Sequence, residues 1–133
     1  MTDGSVLELF RVEAENQVAQ INQGLIDLER DAANGALLES LMRAAHSIKG
    51  AARIVKLQAA VTLAHAMEDC FVALQKGARL PPEGFDTLLA ATDRFGQIAR
   101  VASSEVEAWL QAHAADFEAL ATGLRQIMAG GAA

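Results

Sequence analysis

Histidine, lysine and glycine fall at His46, Lys49 and Gly50, and two alanines, Ala51 and Ala52, follow them. On a helix, side chains three apart share a face, so Lys49 stands beside His46 while Gly50 and Ala51 leave bare backbone around the imidazole. A free imidazole titrates at about 6.5, so near neutral pH much of it is unprotonated and carries a nucleophilic nitrogen. Those surroundings suit acceptance of a phosphoryl group: the nearby cation offsets the new negative charge, and a second protein can reach the ring. One ring nitrogen attacks. The other must hold its proton against an acceptor, which fixes the tautomer and supports the positive ring as it forms.

A following helix supplies the acceptor. His65-Ala-Met-Glu68 sets an imidazole and a carboxylate one turn apart on one face. If the two helices are antiparallel about a turn near Lys56, His46 and Ala66 are equidistant from that turn and pair. Glu68 is therefore expected to orient His46, and His65 to add an auxiliary hydrogen bond. Lys49 is expected to neutralise charge on the phosphate. Between Ser40 and Met67 no Asp or Glu occurs, whereas Arg43, Lys49, Arg53 and Lys56 are all basic. On a chain of formal charge −6 this local basic face points to an acidic partner surface or a phosphate and argues against general nucleic-acid binding. Gly50, Ala51, Arg53, Arg43 and Lys56 are the expected docking residues.

The elements that must position these groups follow from apolar spacing, which predicts helices over about 5–31, 36–55, 57–76, 82–102 and 104–129. Leu7, Phe10, Ala14, Val18, Ile21, Leu25 and Leu28 form the first stripe. Leu38, Leu41, Met42, Ala45, Ile48, Ala52 and Val55 form the second, which leaves His46 near the solvent edge. Leu57, Val61, Ala64, Met67, Phe71 and Leu74 line the third helix, Phe85, Leu88, Thr92, Phe95 and Ile98 the fourth, and Val106, Trp109, His113, Phe117, Leu120, Leu124 and Ile127 the fifth. Ser5-Val-Leu-Glu8 and Ser104-Glu-Val-Glu107 read as capping boxes, Gly77 as a helix stop, and Pro81-Pro82 as a helix start. Short connections make successive helices antiparallel. The expected fold is all-α: an antiparallel up-down four-helix bundle with a fifth, C-terminal helix packed alongside. Residues 1–129 form one domain and 130–133 a flexible tail or the start of a linker.

Composition agrees with this class. The chain has 133 residues, is 52% hydrophobic with much of that from alanine, and is only 5% aromatic, a bias toward helix over strand. One cysteine, Cys70, excludes an internal disulfide and is expected to be inert core. No apolar run reaches the roughly 18 residues of a membrane span, and Met1-Thr-Asp-Gly4 has no signal-peptide character. A cytoplasmic domain, monomeric in isolation and not bound to membrane, is the expectation.

The stretch His46 to Gly50 with its two small successors, together with His65 and Glu68, resembles the phosphotransfer domain at the N-terminus of CheA-type chemosensory kinases. Met42-Arg-Ala-Ala-His-Ser-Ile-Lys-Gly-Ala-Ala-Arg-Ile-Val55 and His65-Ala-Met-Glu-Asp-Cys-Phe71 look most like the WspE type of surface-sensing kinase. The likeness is detailed over Leu38 to Lys76 and architectural elsewhere. It implies that His46 is phosphorylated on the nitrogen remote from the backbone while Glu68 bonds the near one. It also implies a kinase ATP-binding domain, of the same protein, as phosphoryl donor and a receiver-domain aspartate as acceptor. No cofactor of its own is implied, and no glycine-rich phosphate loop is present. This chain departs from the family at Lys56, where glycine is usual; a lysine held at positive φ there costs on the order of 1 kcal/mol.

Two other classes of function compete with this one. A metal centre could draw on His46, His65 and Glu68, but di-iron bundles use repeated Glu-x-x-His pairs; here the order is reversed, it occurs once, and Lys49 crowds it. No metal is expected. A helical adaptor without chemistry predicts that His46→Gln leaves partner binding and signalling intact.

Overall fold

Asn34 begins the helix that carries His46: its side chain accepts the Leu37 N–H at 3.0 Å, satisfying one of the donors that a helix start leaves open. That helix, α2, spans Gly35–Ile54. It ends in a Schellman turn. The Leu57 N–H donates to the Ala52 carbonyl at 3.0 Å, the Lys56 N–H donates to Arg53 at 3.1 Å, and Lys56 itself adopts φ +60°. The expected strain at Lys56 is thus present in the backbone. The chain then turns at once into α3, Gln58–Gln75, which closes with the same device at Gly77, φ +101°. Glycine suits that conformation and lysine does not.

The protein is represented by a computed structural model that describes residues 3–131, with side chains over 5–130. Before α2 runs α1, Asp3–Arg30; after α3 come α4, Pro82–Arg100, a 3-10 turn at Ser103–Glu105, and α5, Val106–Gly131. No strand occurs among the described residues. Neighbours pack in the cyclic order α1, α2, α3, α5, α4, and α4 closes the ring on α1. The chain therefore forms the expected helical bundle, with α5 seated between α3 and α4. Phe71, Phe95, Phe117, Ile21, Leu25, Ile48, Met67 and Leu88 fill the middle and are fully buried.

Several local expectations differ in detail. Because α1 starts at Asp3, Ser5 lies inside its first turn and not at the N-cap position. Ser104 does not cap α5 either. The 3-10 turn stands before that helix without a side-chain cap, and Ser103 donates its hydroxyl to Glu8 Oε2 at 2.5 Å, pinning the start of α1 to that turn. Arg11 reinforces the joint through Glu8 at 2.6 Å and the Ala99 carbonyl at 2.8 Å. Gly130 and Gly131 continue α5 where a loose tail was expected, and Ala132 and Ala133 lie outside the described residues. On α5 the buried face runs Val106, Leu110, Phe117, Ala121, Leu124 and Met128, rotated from the expected stripe. Trp109 and His113 are only half-buried and stack on each other, ring centres 4.1 Å apart.

Candidate functional site: a histidine sharing a carboxylate with a lysine

The antiparallel crossing of α2 and α3 brings His46 to Glu68. His46 Nδ1 lies 2.5 Å from Glu68 Oε2, and Lys49 donates from Nζ to the other oxygen, Oε1, at 2.5 Å. Exposure divides the three sharply: the His46 side chain is 64% exposed, while those of Lys49 and Glu68 are 12% exposed. Burial by itself would raise the pKa of Glu68. The hydrogen bonds from Lys49 and His46, with the positive charges behind them, outweigh burial and hold it below its ordinary value of 4.5. Glu68 is therefore an ionised acceptor at neutral pH. Since a carboxylate can only accept, the proton between them belongs to His46 Nδ1, and in the neutral ring the lone pair is therefore on Nε2. The ring's nucleophilic edge faces water and its protonated edge faces the protein.

Lys49 is placed differently from expectation: its ammonium is spent on Glu68 and is largely buried. Both residues were expected to flank His46, so their opposite charges already implied this pairing. His65 is also redirected. It is half-exposed and lies by Nε2 3.5 Å from Asp69 Oδ1, one turn along α3, and Asp69 accepts from Arg125 of α5 at 3.1 Å. That arrangement replaces the expected auxiliary bond to His46. Asp69 went unassigned in the sequence, although its i, i+4 spacing from His65 was visible; nothing local announced Arg125, 56 residues away.

Gly50 sits one turn beyond His46, and a methyl group there would meet nothing within 4 Å. Its bareness therefore serves no internal packing. Ala51 is half-buried, while Arg53 and Lys56 are exposed; Arg43 is exposed and paired with Glu39 at 2.8 Å. His65, Glu68 and Asp69 offer ligand atoms within 4.8 Å of one another. Glu68 already bonds Lys49, whose ammonium opposes a second cation, and Asp69 already bonds Arg125. Cys70 is buried and its thiol is pushed up to about 12 by that burial, which makes it unreactive. No helix among the described residues is long and apolar enough to cross a membrane.

The molecule is thus a five-helix bundle that presents a solvent-facing histidine held by a carboxylate. The family model described as Hpt domain matches residues 5–129. A gliding motility regulatory protein of Myxococcus xanthus is 36% identical over 67% of this chain and 11% of its own length. The sensor histidine kinase CheAY of Helicobacter pylori is 33% identical over 66% of this chain and 11% of its own. Chemotaxis protein CheA of Listeria monocytogenes is 37% identical over 49% of this chain and 10% of its own. This chain thus spans about a tenth of the length of these relatives. In fold it matches the phosphorylated P1 domain of CheA3 from R. sphaeroides, crystallised in complex with CheY6, with a TM-score of 0.71 at 23% identity, over 96% of this chain and 98% of that one. The chain belongs to the Hpt domain family and is homologous to the phosphotransfer domains of CheA-type kinases.

Proposed function

We propose that this domain is a phosphorelay carrier in which His46 Nε2 accepts a phosphoryl group and passes it to a receiver-domain aspartate. The observation that carries the reading is the bond from Nδ1 to buried, ionised Glu68 beneath an exposed Nε2. In the first step the Nε2 lone pair attacks the γ-phosphorus of ATP held by a kinase domain, an N–P bond forms, and the bond to ADP breaks. The ring, still protonated at Nδ1, becomes positive, and Glu68 stabilises that charge as it develops. In the second step a carboxylate oxygen of the receiver attacks phosphorus and the N–P electrons return to the ring. Lys49 acts through Glu68: it keeps the carboxylate ionised and aimed. Gly50 and Ala51 give clearance for the incoming group, and the exposed basic side chains face the receiver.

The homologues support a setting as one part of a longer cytoplasmic histidine kinase whose own ATP-binding domain is the donor. Within the family, the segments Met42–Val55 and His65–Phe71 favour the WspE type of surface-sensing kinase. The test is phosphoryl transfer from radiolabelled ATP through a CheA-type kinase core, with wild type and His46→Gln compared. Acid-labile label on wild type alone is the expected outcome. Label on both would place the acceptor elsewhere.

A further inference from the structure

Four basic residues lie on the acid-free stretch that carries His46, and the structure separates them into two kinds. Lys49 is bonded to Glu68 and Arg43 to Glu39, whereas Arg53 and Lys56 have no ion-pair partner among the described residues. Between them stands Ile54, 74% exposed, the most exposed of the large hydrophobic side chains described. Ile54 and Lys56 also border an open groove of about 760 Å³ at this end of the bundle, floored by Val6 and Leu7 of α1, Leu57 at the turn and Leu110 of α5. An uncovered isoleucine thus stands between two cations that make no ion pair, beside a groove whose apolar floor is rimmed by polar groups, Glu107 and Glu118 of α5 among them.

Its distance from His46 gives this patch a role outside the domain. Arg53 is seven residues on from His46 and so returns to nearly the same helix face, about 10 Å along the axis, with Ile54 about 12 Å along. A specific protein interface covers about 800 Å² on each partner, a patch of roughly 16 Å radius. Any partner that centres a standard interface on His46 therefore covers Arg53 and Ile54.

We infer that Arg53, Ile54 and Lys56 form a second anchor that selects the receiver domain and is not needed by the phosphoryl donor. This inference rests on the carrier reading above. A donor domain carried on the same protein acts at high effective concentration and needs little affinity of its own. The receiver arrives by diffusion and must be both captured and discriminated. A partner whose acceptor is a carboxylate brings negative charge to the point of transfer, which Arg53 and Lys56 attract; an apolar side chain beside it covers Ile54 and enters the groove.

The experiment uses wild type, Ile54→Ser and the double variant Arg53→Glu/Lys56→Glu, all on exposed positions, with unchanged melting temperature as the check on folding. Each is joined by a flexible linker to a CheA-type kinase core, so that His46 is labelled in cis, then offered to whichever of a panel of CheY-type receivers drains the wild type fastest. The expected result is labelling within twofold of wild type for both variants. Transfer kcat/KM should fall at least tenfold, chiefly through KM, and in the double variant its salt dependence should invert, added salt now easing the new repulsion. Unchanged transfer, or labelling that falls in parallel with transfer, would overturn the second anchor alone. Failure of the wild type itself to be labelled on His46 would overturn the carrier reading, and the anchor with it.

Discussion

At the scale of single residues the site is governed by one carboxylate with two donors. Glu68 is nearly buried, so leaving it charged and unpaired would be unfavourable, and Lys49 and His46 together make the charged form the stable one. Lys49→Met should therefore act on stability as well as chemistry. Loss of a hydrogen bond to a charged group of this kind costs about 1.5–3 kcal/mol, to be read from urea unfolding. Adding Glu68→Gln should return part of that loss, because no unpaired charge then remains. The pH dependence follows the same group. Its folded pKa lies below the unfolded value, so its contribution is fully present above the unfolded pKa and is lost as pH falls through the folded one. Wild type should thus lose stability on acidification below its ordinary carboxylate value of 4.5, and Glu68→Gln should lose measurably less over the same window. Equal acid slopes for the two proteins would show that Glu68 is not held as described. In phosphoryl acceptance Glu68→Gln should be slower than wild type while still docking the receiver, since it alters the ring's support and not the surface.

At the scale of elements, two positions on or next to α2 set stability against use. Gly50 lies in a helix interior, where glycine costs about 1 kcal/mol relative to alanine, and nothing in the fold requires it. Gly50→Ala should raise the melting temperature by a few degrees and slow phosphoryl transfer; a variant that is more stable and equally fast would mean the clearance is unused. Lys56 presents the opposite case, since its positive φ is imposed by the turn. Lys56→Gly should stabilise by up to about 1 kcal/mol with labelling of His46 unchanged, measured by thermal melting and single-turnover labelling. These elements were largely legible in the sequence because their signals are local: apolar residues at three- and four-residue steps, Asn34 before α2, and glycine at the end of α3. The pairing of His46 with Glu68 was legible too, since a short turn near Lys56 fixes the register of two antiparallel helices. Illegible were the contacts whose partners lie far apart in the chain, Asp69 with Arg125 and Glu8 with Ser103. Serine at 5 and 104 had the composition of a cap, yet α1 starts two residues earlier, and a 3-10 turn tied to Glu8 through Ser103 stands before α5.

At the scale of the whole molecule the placement of α5 decides how the domain holds together. A helix merely laid beside a finished four-helix bundle could be removed at modest cost. Here α5 lies between α3 and α4, and Val106, Leu110, Phe117, Leu124 and Met128 are buried from it into the common core. Burial of one large apolar side chain contributes about 1.5–3 kcal/mol, so these five together are worth on the order of 10 kcal/mol. That matches the whole net stability of a typical domain, about 5–15 kcal/mol. Periodicity could identify α5 as amphipathic, but the half-burial of Trp109 and His113 depends on its rotation between two neighbours, which no local pattern encodes. Truncation after Glu105 should therefore abolish cooperative unfolding, leaving a helical but loosely packed chain without a sharp urea transition. It should also uncouple Asp69 from Arg125 and loosen α3, the helix that presents Glu68 to His46, so labelling of His46 should collapse in step. A truncated chain that still melts cooperatively and still accepts phosphate would show that α1 to α4 alone suffice to hold the site.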